Sequence, residues 1–197
     1  TEAEIVYFTD ILIKIEITVA DGSSFDYAYR IYNEESFIGI MPNLYYTVMN
    51  SLDLPSDRIA LETFSGGLQG YDDTITINLN GANFARELAE SAIIRNIVFS
   101  GTVNGQGFIA NENYGTIENV KVDVYQTYSS MLTYDGAGFV GGLVGINNGI
   151  ITNSSVLGLT IDSQNSIIGG IAGQNNNIIS GAKVEFYNLQ SRQDDNT

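Results

Sequence analysis

From Ile11 to Val19 the chain alternates. Ile11, Ile13, Ile15, Ile17 and Val19 fall on one side of an extended backbone, and Lys14, Glu16 and Thr18 fall on the other. That period of two is the signature of a β-strand. A turn at "ADGSS" and a second alternating run, "FDYAYRIY", predict an N-terminal β-hairpin module over residues 1–32. Asn33 is placed to cap a short helical turn through 34–39, with acidic residues at its positive end. Pro42 and Asn43 stop that turn, "LYYTVM" reads as a strand, and "NSLDLPSD" reads as a corner. Residues 74–79 again alternate strictly. "NFARELAE" predicts one helical turn capped by Asn83, and short apolar phrases broken by Gly and Asn then recur.

Those phrases repeat. "GGLVGINNGIITNSSV" begins at Gly141 and "GGIAGQNNNIISGAKV" begins at Gly169. At a spacing of 28 residues (170 − 142), Gly142 meets Gly170, Gly145 meets Gly173, Asn147 meets Asn175, Ile151 meets Ile179 and Val156 meets Val184. An earlier copy starts at Gly107, with a spacing of 35 (142 − 107) to Gly142; Phe108, Ile109, Asn111, Asn113, Ile117 and Val120 follow the same order. The copies span about 107–124, 141–161 and 169–186. A period of 20–50 residues marks a stack of supersecondary units, since one such unit cannot bury its own apolar face. Stacked at about 4.8 Å, equivalent residues would lie isoleucine on isoleucine and asparagine on asparagine. Gly and Asn supply the left-handed backbone that tight corners require. The expected fold is all-β: a right-handed parallel β-helix over residues 33–197, its hand set by the usual crossover rule and by the resemblance described below. An antiparallel β-sandwich is the competing architecture.

Composition sharpens this picture. Among 197 residues, charged side chains make up only 16%, so Gly, Asn, Ser and Thr carry much of the surface. The net charge is −15, which disfavours nucleic acid and anionic membrane surfaces as partners. The charge is uneven: residues 1–75 hold 13 acids and 3 bases, whereas residues 136–190 carry only Asp162, Lys183 and Glu185. No apolar run is long enough to span a bilayer.

The phrase "GGLVGINNGIITNSSVLG" resembles the GLUG repeat of bacterial cell-surface proteins. Upstream, "NEESFIGI", "YYTVMNSLDL", "FSGGLQGYDDTITINL" and "FARELAESAIIRNIVFSGTV" resemble the segments that lead into such repeats. Their order is similar to the non-catalytic N-terminal region of IgA-specific zinc metallopeptidases and related adhesins. The resemblance covers roughly residues 31–186 and implies a parallel β-helix on a secreted or surface-anchored protein. Gln69 stands where that pattern usually has Asp, and Asp72-Asp73 stand where it usually has Gly-His.

Chemistry narrows the function. The chain has no His and no Cys, so a zinc-peptidase motif, a Ser–His pair, a thiol nucleophile and a disulfide are all excluded from it. Asp72 and Asp73 suit a turn better than an acid–base pair, because adjacent side chains on a strand point to opposite faces. Asp53 and Asp57 flank a proline corner, where carboxylates cap backbone amides. No cofactor is expected, and calcium is the one ion that such oxygen donors would suit structurally. The stretch "DVYQTYSSMLTYDGAGF" lengthens the spacing between copies; Tyr125, Tyr128 and Tyr134 there form either a projecting aromatic patch for a host glycan or protein ligand, or further strand covering the stack.

The expectation is a non-catalytic structural or adhesive segment of an extracellular or cell-surface bacterial protein. The alternatives are a substrate-positioning region of a larger secreted zinc metallopeptidase and a polysaccharide-acting β-helix enzyme.

Overall fold

A computed structural model of the protein describes residues 3–8, 11–16, 19–123 and 130–192. Strands β1 (Ala3–Phe8) and β2 (Ile11–Glu16) pair antiparallel in a sheet of their own. The predicted hairpin is therefore shifted: Ile11–Glu16 pairs with the segment before it, not with residues 25–32. At the expected turn, Asp21 Oδ1 accepts from the amide of Ser23 at 2.9 Å. The amides of Asp21 and Gly22 both donate to the carbonyl of Tyr27, at 3.0 and 2.8 Å. This closed loop runs into a single 3-10 turn at Phe25–Tyr27. Strand β3 (Tyr29–Ile31) then joins a larger, parallel sheet, where Ile31 is buried and in register with Val48.

The predicted short helix is present as α1 (Glu34–Ile38), with Asn33 Oδ1 accepting from the amide of Ser36 at 3.0 Å. Its one buried side chain is Phe37. The chain continues through β4 (Tyr45–Val48), β5 (Leu52–Asp53), β6 (Leu61–Phe64), β7 (Gly67–Gly70), β8 (Thr76–Ala82), β9 (Ala85–Leu88) and β10 (Ile93–Asn104). The repeat copies supply β11 (Ala110–Asn113), β12 (Thr116–Asp123), β13 (Met131–Gly141), β14 (Val144–Asn147), β15 (Ile150–Thr152) and β16 (Ser155–Gly169). Strands β17 (Ala172–Asn175), β18 (Ile178–Ser180) and β19 (Lys183–Arg192) complete the last copy.

The protein is thus mostly β, and from β3 onward all strand pairing among the described residues is parallel. One sheet has five strands in the order β17-β14-β11-β9-β6, and the other has twelve. The helical turn predicted at "NFARELAE" is instead strand β9. Parallel partners on both sides, β6 and β11, satisfy its backbone, and Phe84, Ala85 and Leu88 face the interior. Burial between two neighbours outweighs local helix preference.

Register follows the repeats. Val144 pairs with Ala172, Ile150 with Ile178, Ile151 with Ile179 and Val156 with Val184, all parallel and all at the predicted offset of 28 (172 − 144). The Gly107 copy is displaced by one residue from the predicted alignment. Its strands pair at an offset of 34 (147 − 113) in place of the 35 between Gly107 and Gly142, so Asn113 meets Asn147 and Val122 meets Val156, two residues beyond the expected Val120.

Apolar side chains consequently form columns across the strands. Tyr46, Leu68, Ile94, Ile117, Ile151 and Ile179 are successive partners, as are Leu52, Ile77, Phe99, Val122, Val156 and Val184. Ile94, Ile117, Ile151, Phe99, Val122 and Val156 are fully buried, and each such side chain contributes about 1.5–3 kcal/mol by leaving water. The doubled glycine of the repeat has a steric cause. A Cβ on Gly141 or Gly169 would collide with the carbonyl oxygen three residues on, that of Val144 or Ala172, so the tight turn entering each copy excludes any side chain.

Candidate functional site

Tyr125 and Tyr128 lie outside the described residues. Tyr134 lies within β13, in register with Ser163 of β16, and packs half-buried against the core. Its ring runs over the backbone at Gly136 and Gly138, where a Cβ would meet the tyrosine ring atoms. Strand pairing thus takes up the one tyrosine of this group whose position is described.

The acidic residues have mostly structural partners. Asp72 Oδ1 accepts from both the hydroxyl of Thr74 at 2.6 Å and its amide at 2.9 Å, a side-chain turn of the expected kind. These two bonds hold the Asp72 carboxyl below its usual pKa, the hydroxyl bond contributing most. Asp73 faces Lys121 at 3.8 Å. Asp53 departs from expectation. Its carboxylate takes side-chain amides instead of backbone ones, accepting from Asn78 Nδ2 at 2.7 Å and Asn80 Nδ2 at 3.0 Å. Asn80 Nδ2 also donates to the carbonyl of Leu54, and the hydroxyl of Ser100 donates to Asn78 Oδ1 at 3.2 Å.

This network floors a polar groove on the outer side of β8 and β10. One recess of about 600 Å3 is lined by Glu34, Asp53, Asp73, Asn78, Ser100 and Lys121. Its neighbour, about 500 Å3, shares Asp53 and adds Asn80, Thr102, Asn104 and Thr133. No cluster of three or more acidic side chains placed to hold a metal ion occurs among the described residues. The groove offers hydroxyls, amides and separately engaged carboxylates, which suits hydrogen bonding to a polar surface.

Between β5 and β6, the half-buried Arg58 ties the corner together. Its Nη2 donates to the carbonyls of Ala82 and Asn83 at 2.8 and 2.6 Å, and burial pushes its guanidinium down to about 10.

The corners carry two columns that sequence reading anticipated only in kind. One is an asparagine ladder: Asn113 Nδ2 donates to Asn147 Oδ1 at 2.8 Å, and Asn147 Nδ2 donates to Asn175 Oδ1 at 2.7 Å. Beside it, Asn176 Nδ2 donates to Asn148 Oδ1 at 2.7 Å. The other is a left-handed backbone column. Asn96, Asn119, Asn153 and Gly181 follow one another in the register, with φ of 52°, 49°, 50° and 63°. The signal was present as an Asn or Gly immediately after each "IIR", "TIE", "IIT" and "IIS" phrase.

No known protein family, curated protein or solved structure matches this chain.

Proposed function

We propose that this chain is a right-handed parallel β-helix that serves as a non-catalytic structural and adhesive segment of a secreted or surface-anchored bacterial protein. The observation that carries the reading is the register of the last two copies, where like residues pair with like in parallel strands at one offset of 28 (179 − 151). A chain that advances by one inter-strand spacing per copy grows along one axis, and its stability is a sum of repeat and neighbour terms. The right-handed sense follows from the strong preference of parallel crossovers. Acids engaged in turns, amide contacts and an ion pair support a non-catalytic role. The resemblance to GLUG-repeat surface proteins supports the extracellular setting.

Small-angle scattering and attachment assays test the two halves separately. The expected scattering is that of an elongated particle of constant cross-section, and a compact sphere would defeat the architecture. Beads coated with the chain should attach to host epithelial cells and be displaced by soluble chain. Unchanged attachment relative to bare beads would defeat the adhesive role. Release of new reducing ends or unsaturated sugars from polysaccharides would replace it with an enzymatic one.

A further inference from the structure

Apart from the polar groove, the loop over residues 20–28, strand β3 and the corner after β7 surround a recess of about 610 Å3. Phe25, Asp26, Arg30, Thr47, Met49 and Tyr71 line it. Its volume falls within the range of small-molecule sites.

The recess is built on fixed parts. The ring of Phe25 meets Tyr45 edge to face, 4.9 Å between centroids, and the guanidinium of Arg95 lies 4.0 Å over its centre. Arg95 Nε donates to Gln69 Oε1 at 2.9 Å, and Gln69 Nε2 donates to the hydroxyl oxygen of Thr47 at 3.0 Å. Gly67 makes room for this arrangement, because a Cβ there would collide with both aromatic rings. Tyr71 is 68% exposed, yet its own amide is tied to the carbonyl of Val48 at 2.8 Å. An exposed aromatic ring is therefore carried on an anchored backbone at the edge of the recess.

Arg30 is the unusual charge. It is exposed, stands in register with Thr47 on the adjacent strand, and pairs with no carboxylate among the described residues. In a chain with 23 acids and 8 bases, most described cations are engaged: Arg86 with Glu62, Lys121 with Asp73, Lys183 with Glu185, Arg58 with carbonyls and Arg95 with Gln69. An aromatic face, a free guanidinium and a carboxylate in one recess supply three complementary contacts for a sugar. The ring takes the apolar C–H face of a pyranose, Arg30 donates to its hydroxyl oxygens, and Asp26 accepts from its hydroxyl groups.

We infer that this recess binds a neutral oligosaccharide, with one sugar ring stacked on Tyr71 and its hydroxyls held between Arg30 and Asp26. The net charge of −15 sets the preference for a neutral sugar, since the surrounding field repels an acidic one. The backbones that carry these groups are already ordered, Arg30 on β3 and Asp26 on the 3-10 turn, so binding has only side chains to fix. This assignment rests on the adhesive half of the proposed function and names its ligand class.

The test is amide-resolved NMR titration of the whole chain with maltotriose, laminaritriose and cellotriose, and with trigalacturonic acid as the acidic counterpart. At least one neutral trisaccharide should shift the amides of Arg30, Thr47, Met49 and Tyr71. Tyr71→Ala should weaken that binding by about tenfold, Tyr71→Phe should retain it, and Arg30→Gln should weaken it by about three- to tenfold. Tyr32→Ala, at an exposed tyrosine outside the recess, should leave affinity unchanged. Indifference to all three neutral sugars, tighter binding of the acidic one, or unaltered affinity in Tyr71→Ala would each overturn the assignment. Beads that attach to cells while the spectra ignore every neutral sugar would remove this site and leave the adhesive role standing.

Discussion

The side-chain amide of Asn113 donates to Oδ1 of Asn147 at 2.8 Å, with both residues fully shielded from water. In the two preceding strands of the same column stand Leu88 and then Phe64, so an apolar column changes into an amide ladder where the repeats begin. A buried primary amide is costly unless its donors and acceptor are satisfied. Here each copy provides the partner for the next. The ladder therefore favours pairing of copies in one register, because a slip by one residue would set each amide opposite a residue whose side chain points to the other face and so deprive it of its partner.

Asn147→Leu should destabilise the protein by about 2–4 kcal/mol, because it strands the donor of Asn113 and removes the bond to Asn175. Adding Asn113→Leu removes the stranded donor. The double variant should then be more stable than the sum of the single losses, with a coupling of about 1–2 kcal/mol. Urea unfolding of the four-member cycle measures this directly, and strict additivity would show that the ladder contributes no coupled energy.

The left-handed column predicts a different sensitivity. Asn153 has φ of 50°, a conformation in which a β-branched side chain is strained. Asn153→Gly should unfold within about 0.5 kcal/mol of the parent, whereas Asn153→Val should lose about 1–3 kcal/mol. Equal midpoints for the two variants would contradict the strain argument.

Phe84 sits among Phe64, Phe37 and Phe99, at centroid distances of 5.0, 6.1 and 6.5 Å. It is fully buried and joins α1 to the interior through Phe37. Phe84→Ala should cost about 3–5 kcal/mol through lost transfer energy and the cavity left behind. The loss should appear as a lower denaturant midpoint with an unchanged slope.

The Asp72 turn gives a pH prediction. Its folded carboxyl titrates below the usual 3.8, so the stabilisation it gives is present above the unfolded value and is lost as pH falls through the lower, folded one. The chemical shift of the Thr74 amide should report a midpoint below 3.8. Thr74→Val removes the stronger of the two bonds and should move the midpoint back upward. A midpoint that ignores this substitution would dissociate the shift from the hydroxyl.

Much of the architecture was legible along the chain because each repeat meets a copy of itself. The 28-residue offset, the isoleucine and valine columns and the paired asparagines follow from the requirement that equivalent positions stack. Asn33 and the Asp72 turn were equally readable, since both are bonds to backbone two or three residues away. The misread elements depended on distant partners. Residues 85–88 look helical in isolation and become a strand because β6 and β11 flank them. Residues 29–31 leave the predicted hairpin because β4 offers a parallel edge. The recess at Tyr71 was invisible for the same reason: Phe25, Arg30, Thr47 and Tyr71 are separated along the chain and belong to different neighbouring elements. Local bonds and repetition are written in sequence order, whereas pairing between unlike segments is decided by which edges and faces the folded chain leaves open.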